Sequence, residues 1–311
     1  MTDLGKLGFG TWAMGGPFWD GAQAAGWGPS DDAESVKALR RGFDLGVRLF
    51  DTADVYGCGH AETLVGQAFA DVRDQVVIAT KWGNTFDAAS RQMTGSDASV
   101  PYLRRAVEAS LRRLGTDWID VQQLHLGGLP VELAEPLREA CEELVAEGKI
   151  RSYGWSTDDA ERAAFFGAGE HCTVVQAELN VLVDNPEIRA LDLDVLCRGP
   201  LAMGLLARES FDGQLGDDDV RGKVPAWMRF FRDGRPVPEF VAARESVRDV
   251  LTSGGRTLAQ GALAWLWARS PRLVPIPGVR TVAQAEENAG ALAFGPLSAD
   301  ELEQVESVLR G

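Results

Sequence analysis

Three apolar segments of this sequence run into ionisable side chains: Arg48-Leu-Phe-Asp51, Val76-Val-Ile-Ala-Thr-Lys81 and Val121-Gln-Gln-Leu-His125. As adjacent parallel strands, about 4.8 Å apart, they would gather Asp51, Lys81 and His125 at one end of a sheet. Lys81 is one of only five lysines, and an ammonium at the end of an apolar strand is costly unless a carboxylate pairs it. Asp51 is the obvious partner. For that pair alone, a buried bridge that merely stabilises the core explains the residues equally well. Tyr56, one of three tyrosines, follows in the loop Thr52-Ala-Asp-Val-Tyr56-Gly57. A phenol titrates near pH ~10, and an adjacent ammonium lowers that value, so Lys81 would make Tyr56 a better proton donor. His125 is then placed to hydrogen-bond the same acceptor oxygen. Singly, Tyr56 reads as a loop aromatic and His125 as a core histidine; with the pair they form a site that polarises and protonates a carbonyl.

The elements that must position these residues alternate between short apolar or β-branched runs and longer amphipathic segments, the pattern of βα units and a parallel sheet. Strands are expected at residues 7–12, 48–51, 76–82, 118–125, 150–156, 174–179, 194–198 and 273–277. Helical periodicity, with apolar residues at i, i+3, i+4 and i+7, covers 32–45, 102–114, 131–147 and 257–268. The eight alternations favour a closed barrel over an open sheet. The expected fold is therefore α/β: one (β/α)8 or TIM barrel domain over residues 1–311, a usual length for that fold. Ser298-x-x-Glu301 is a capping box that opens an extra C-terminal helix over 298–309. A segment rich in Gly, Asp and Pro, residues 208–238, follows the seventh strand and is expected to form a lid over the barrel mouth. Within it, Asp217-Asp-Asp219 reads as solvated loop. Barrel active sites lie at the C-terminal ends of the strands, where Asp51, Lys81 and His125 fall.

With 45% hydrophobic residues the chain can bury a large core, and its formal net charge of −15 excludes nucleic acid and anionic membranes as partners, because both need a basic field. Cys58, Cys141, Cys172 and Cys197 form no C-x-x-C pair and are too sparse for a disulfide framework, so a cytoplasmic location is expected. The start, Met1-Thr-Asp-Leu-Gly-Lys6, has no apolar signal core, and no run approaches about 18 apolar residues. Cys58-Gly-His60, His125 and His171 match no zinc spacing, and no metal is expected. Gly8-Phe-Gly10-Thr-Trp-Ala13 fits a dinucleotide fingerprint, but Met14-Gly-Gly-Pro17 follows where that motif needs a helix. A Rossmann fold is rejected on that ground.

Over nearly its whole length the sequence resembles the aldo-keto reductases. The strings that carry the resemblance, in the family's order, are LGFGTW, FDTADVYGCGHAETLVGQA, VIATKWG, SLRRLGTDWIDVQQLH, EGKIRSYGWS, VVQAELN and PIPGVRTVAQAEEN. The resemblance implies that Asp51, Tyr56, Lys81 and His125 are the catalytic tetrad, with Tyr56 the general acid, and that the cofactor is NADPH rather than NADH. It sets Thr11 and Trp12 beside the nicotinamide and substrate, Ser156 and Gln176 on the carboxamide, and Pro200, Leu201 and Gly204 along the pyrophosphate. Gly278, Arg280, Gln284, Glu287 and Asn288 would hold the adenosine end, with Arg280 the partner of a 2′-phosphate. This stretch opens the helix after the eighth strand, where barrels commonly bind phosphate. The sequence departs from some members at Gly278 and Gln284, where they have Lys and Arg, and at Gly199, often Ser. Arg198 stands where the family usually stacks an aromatic on the nicotinamide; a guanidinium can stack there but would repel the oxidised ring. Trp12, Trp19, Trp82 and Trp227 are expected to line an aromatic substrate pocket, and Trp27 reads equally well as a pocket, core or surface residue. The expected activity is NADPH-dependent reduction of a small aldehyde or ketone. A keto-sugar or sugar-aldehyde substrate is one alternative, and a nicotinamide-binding regulatory subunit with little turnover is another.

Overall fold

The computed structural model describes residues 3–208, 214–223 and 227–310. All eight expected strands form: β1 Gly8–Gly10, β2 Leu49–Asp51, β3 Val77–Trp82, β4 Ile119–Leu124, β5 Ile150–Ser156, β6 Cys172–Glu178, β7 Asp194–Arg198 and β8 Leu273–Pro275. They pair in parallel in chain order. The ring closes just beyond β8, where Gly10 N donates to Pro277 O at 2.9 Å and Val279 N to Gly10 O at 3.1 Å. The architecture is a (β/α)8 barrel.

The helices between and after the strands are α1 Asp32–Asp44, α2 His60–Phe69, α3 Val100–Leu114, α4 Glu135–Ala146, α5 Ala160–Gly167, α6 Pro186–Arg189, α7 Pro238–Leu251, α8 Leu258–Arg269, α9 Val282–Gly290 and α10 Ala299–Arg310. Several starts follow side-chain caps: the Asp31 carboxylate accepts from Glu34 N, and Thr257 and Gln260 form a capping box on α8. The box expected at the last helix forms too, with Ser298 N donating to Glu301 Oε2 at 2.8 Å and Glu301 N to Ser298 Oγ at 3.2 Å. Two expectations are corrected. Residues 131–147 are not one helix: a 3-10 turn, Val131–Leu133, precedes α4, whose first turn holds Pro136, a residue tolerated there because the missing N–H has no partner anyway. Residues 7–12 do not stay extended either, because the Thr11 backbone leaves the β region (φ −106°, ψ 8°) and Trp12–Met14 continues as a 3-10 turn, Met14 N donating to Thr11 O at 2.9 Å.

What positions the site is the period of two along each strand. Leu49, Ala79, Val121, Val174, Leu196 and Val274 form an apolar plug inside the barrel. Two residues further along the same strands stand Asp51, Lys81, Gln123, Gln176, Arg198 and Ile276. They face the same interior one layer nearer the C-terminal rim, so the plug forms a dry floor beneath a largely polar layer.

Above this rim, Trp19–Asp20 and Gln23–Ala24 join Asn84–Asp87 and Gln92–Ser96 in a small four-stranded sheet. From the expected lid, residues 209–213 and 224–226 lie outside the described residues. The remainder does arch over the mouth: Val220 N donates to Gly26 O at 2.8 Å, and Gln23 Nε2 to Lys223 O at 2.9 Å. Asp219 is not solvated loop, as the sequence suggested, but a two-point partner of the buried Arg221 guanidinium, which lies 4.5 Å over the Trp27 ring. No helix among the described residues is long and apolar enough to cross a membrane.

Candidate active site

The centre of the site is the Lys81 ammonium, fully buried at the end of β3. Its three N–H donors meet three oxygens: Asp51 Oδ2 at 2.6 Å, the Thr52 carbonyl at 2.7 Å and the Tyr56 hydroxyl at 3.3 Å. Burial by itself favours the neutral amine, but Asp51 and Tyr56 outweigh it and hold Lys81 above its ordinary value. Asp51 is likewise saturated. Its second oxygen accepts from Gln176 Nε2 at 2.8 Å and Gln123 Nε2 at 3.2 Å.

Tyr56 reaches Lys81 because the loop after β2 folds back sharply. Gly57, Cys58 and Gly59 all have left-handed backbone, with φ of 59°, 55° and 97°. At Gly57 a side chain is excluded twice, since a Cβ there would also lie 2.0 Å from the Gly15 carbonyl oxygen. The Tyr56 ring stacks on Trp12, with centroids 5.8 Å apart and planes at 19°, and meets His125 edge-on at 5.9 Å. Burial pushes the Tyr56 phenol above its usual value, and the Lys81 ammonium only opposes that rise. The expectation that Lys81 sets a lowered pKa is thus corrected: in this dry site desolvation of the phenolate outweighs the ammonium.

His125 follows β4, its backbone N donating to Trp82 O at 2.7 Å. Burial, then the positive charges of Lys81 and Arg198, push its imidazole down to about 3, so it is neutral. Its Nδ1 is buried without a hydrogen-bond partner among the described residues. Placing the single proton on Nε2, the nitrogen left to face the cavity, makes His125 a hydrogen-bond donor there.

These groups open on a cavity of about 1400 Å³, larger than a single drug-sized ligand needs. Of the residues expected around a nicotinamide, Trp12, Ser156, Gln176 and Arg198 line it; Thr11 does not, being wholly buried with a hydroxyl that has no partner among the described residues. Pro200, Leu201 and Gly204 line the stretch beyond β7, and Gly278, Arg280, Gln284, Glu287 and Asn288 the far end. There Arg280 N donates to Gln284 Oε1 at 3.0 Å, and Thr281 caps α9. Burial and the nearby Arg221 and Arg280 cations hold the Arg208 guanidinium below its ordinary range, so three guanidiniums converge on this end. Arg198 is paired with Asp158. That carboxylate offsets the charge by which Arg198 was expected to repel an oxidised ring.

Among the tryptophans, Trp12 and Trp227 line the cavity, joined by Trp27; Trp19 and Trp82 do not. Alternation explains both corrections. Lys81 faces the interior, so Trp82 points out against Tyr102, 6.4 Å away, and Phe18 faces the cavity, so its neighbour Trp19 points elsewhere. Sequence reasoning missed Gln123, although its signal, a polar residue two places after the inward-facing Val121, was present. It also missed Arg208, Arg221, Glu178 and Arg229, whose roles depend on how the lid folds and which no local pattern marks.

A rim of strand ends carrying a saturated Lys–Asp pair, a tyrosine and a neutral histidine defines a barrel oxidoreductase. Comparison with known proteins makes the class definite. The model described as the Aldo/keto reductase family matches residues 6–310, and the chain belongs to that family. The aldo-keto reductase yakc (NADP+) of Schizosaccharomyces pombe is 30% identical over 283 residues, covering 86% of this chain and 80% of that protein. The NADH-specific methylglyoxal reductase of Escherichia coli is 29% identical, over 96% of this chain and 92% of its own. The solved aldo-keto reductase from Klebsiella pneumoniae in complex with NADPH shares 29% identity and a TM-score of 0.67, covering 98% of this chain and 91% of its own.

Proposed function

We propose that this chain reduces an aldehyde or ketone to the alcohol with NADPH, Tyr56 giving the proton. One observation carries the reading. Lys81 donates its third N–H to the Tyr56 hydroxyl, so that oxygen is an acceptor on its buried side and its own O–H points toward the cavity. His125 Nε2–H is a second donor for the same carbonyl oxygen.

The cavity suits a dinucleotide. Its length runs from Gln176, beside the catalytic pair, to Arg280, and Gly199 and Gly204 adopt left-handed backbone that keeps side chains off the path between. Ser156 and the Gln176 side-chain carbonyl would hold the carboxamide, with Trp12 and Arg198 alongside; Pro200, Leu201 and Gly204 would follow the pyrophosphate. Gly278, Arg280, Gln284, Glu287 and Asn288 would hold the adenosine end, with Arg208 and Arg221 adding charge. When bound, NADPH supplies the hydride. The chain does the rest: as charge builds on the carbonyl oxygen, Tyr56 and His125 stabilise it, and Tyr56 yields its proton because an alkoxide is far more basic than a phenolate. Lys81 stays charged throughout and stabilises the phenolate left behind, and Asp51 keeps Lys81 in place.

The shifts fix the pH behaviour. A phenol raised above ~10 is protonated across the neutral range, and a histidine pushed down to about 3 is neutral there, so both are in their working forms for reduction. The kcat for reduction should be flat between about pH 6 and 9. Alcohol oxidation needs the phenolate and should rise with pH over that whole range. A break near pH 6.5 in the reduction profile would show that His125 titrates normally.

The two named relatives differ in cofactor, NADP+ in one and NADH in the other; Arg280 favours NADPH here. Arg280→Ala should weaken NADPH about 10- to 100-fold, the worth of a charge-assisted contact of about 1.5–3 kcal/mol, and NADH by less than about 3-fold. Fluorescence titration with both nucleotides tests this, and equal losses would show that Arg280 does not read the 2′-phosphate.

A further inference from the structure

One guanidinium at the mouth has no task in the reduction itself. Arg229 lies between Met228 and Phe230, both buried, so its backbone is fixed although it belongs to the lid segment. Its side chain is 50% exposed and lines the cavity. Its Nε is 3.2 Å from Glu178 Oε2, and that carboxylate is only 12% exposed. Glu178 ends β6, two residues past the Gln176 that bonds Asp51. On the other side, Trp227 stands 6.1 Å from Trp12, the ring stacked on Tyr56. Arg229 thus lines the same cavity as the proposed proton donor, Tyr56.

Neighbouring cations at this side of the mouth are committed: Arg198 to Asp158 and Arg162 to Asp159. Arg229 meets Glu178 as an ion pair whose nearest approach is through Nε, and its terminal nitrogens make no hydrogen bond with the described residues. A half-exposed guanidinium that lines the cavity and is paired with a largely buried acid can offer two parallel N–H donors in the spacing of a carboxylate. Trp12, Trp27 and Trp227 supply an apolar wall of the same cavity.

We infer that the substrate is a carbonyl compound with an apolar body that carries a carboxylate remote from the carbonyl, and that Arg229, held by Glu178, reads this carboxylate. The inference rests on the proposed carbonyl reduction, so its test has one arm that needs turnover and one that does not. In the first, para-carboxybenzaldehyde is compared with its neutral methyl ester by following NADPH oxidation. The parent should favour the acid in kcat/KM by at least about 10-fold. Arg229→Gln should lower kcat/KM for the acid about 10- to 100-fold, through KM, and change the ester by less than about 3-fold. Arg229→Lys keeps a cation for Glu178 but loses the fork, and should fall between. In the second arm, calorimetric titration of the whole protein with NADP+ should detect terephthalate, bind its dimethyl ester more weakly, and lose the difference in Arg229→Gln. Equal handling of acid and ester by the parent, or equal losses for both in Arg229→Gln, overturns the inference, and parent-like use of the acid by Arg229→Lys overturns fork recognition. If terephthalate binds through Arg229 but neither aldehyde is reduced, the carboxylate site stands and the carbonyl reading fails.

Discussion

Tyr56→Phe should lose about 10²- to 10⁴-fold in kcat while its affinity for NADPH changes by less than about 2-fold. The split follows from where the hydroxyl is. The phenyl ring would keep its stack on Trp12 at 5.8 Å, and Lys81 would keep Asp51 and the Thr52 carbonyl as acceptors. The cavity wall therefore survives and only the proton source is removed. His125 remains as a donor, so some stabilisation of the developing alkoxide persists and the loss is not total. Steady-state reduction of a good aldehyde, with cofactor titration in parallel, reads both quantities. A variant that turns over at the parent rate removes Tyr56 from the mechanism. A parent that binds NADPH tightly but scarcely oxidises it points instead to a nicotinamide-binding regulator.

The fold was legible in the sequence because barrel strands report twice, by their apolar content and by the polar residue that ends them. Asp51, Lys81 and His125 each close an apolar run, and all three reach one rim. Legibility failed where facing mattered more than type. Trp82 was expected in the pocket because it is aromatic and ends a strand, yet the strand that turns Lys81 inward must turn Trp82 outward. The same parity would have assigned Gln123 to the interior beside Gln176. The Tyr56 shift was misjudged for a different reason: a sequence shows which charge is near, but burial depends on the closed loop, and here burial wins. Of the charged residues at the mouth, Asp158, Glu178 and Arg198 come from neighbouring strand ends, whereas Arg229 meets Glu178 only once the lid has folded.

Lys81→Met should lower stability by about 3–5 kcal/mol, because it removes the ammonium and leaves Asp51 buried with only the Gln123 and Gln176 amides. Turnover should fall at least as far as in Tyr56→Phe, since the phenolate left by proton transfer would have no cation beside it. The single variant alone cannot separate a structural bridge from a catalytic one, because unfolding and inactivity would coincide. Adding Asp51→Asn separates them. In the double variant both buried charges are gone, the Asn carbonyl can still accept an N–H from Gln123 or Gln176, and roughly half or more of the lost stability should return. If the pair only braced the barrel, the refolded double variant would also regain turnover. The geometry predicts the opposite, a barrel restored and still inactive, because all three Lys81 donors are spent on the site and the third holds the Tyr56 hydroxyl in its donating orientation. Urea unfolding midpoints measured beside kcat for parent, both single variants and the double decide it, and recovery of turnover together with stability would return Asp51 and Lys81 to a purely structural role.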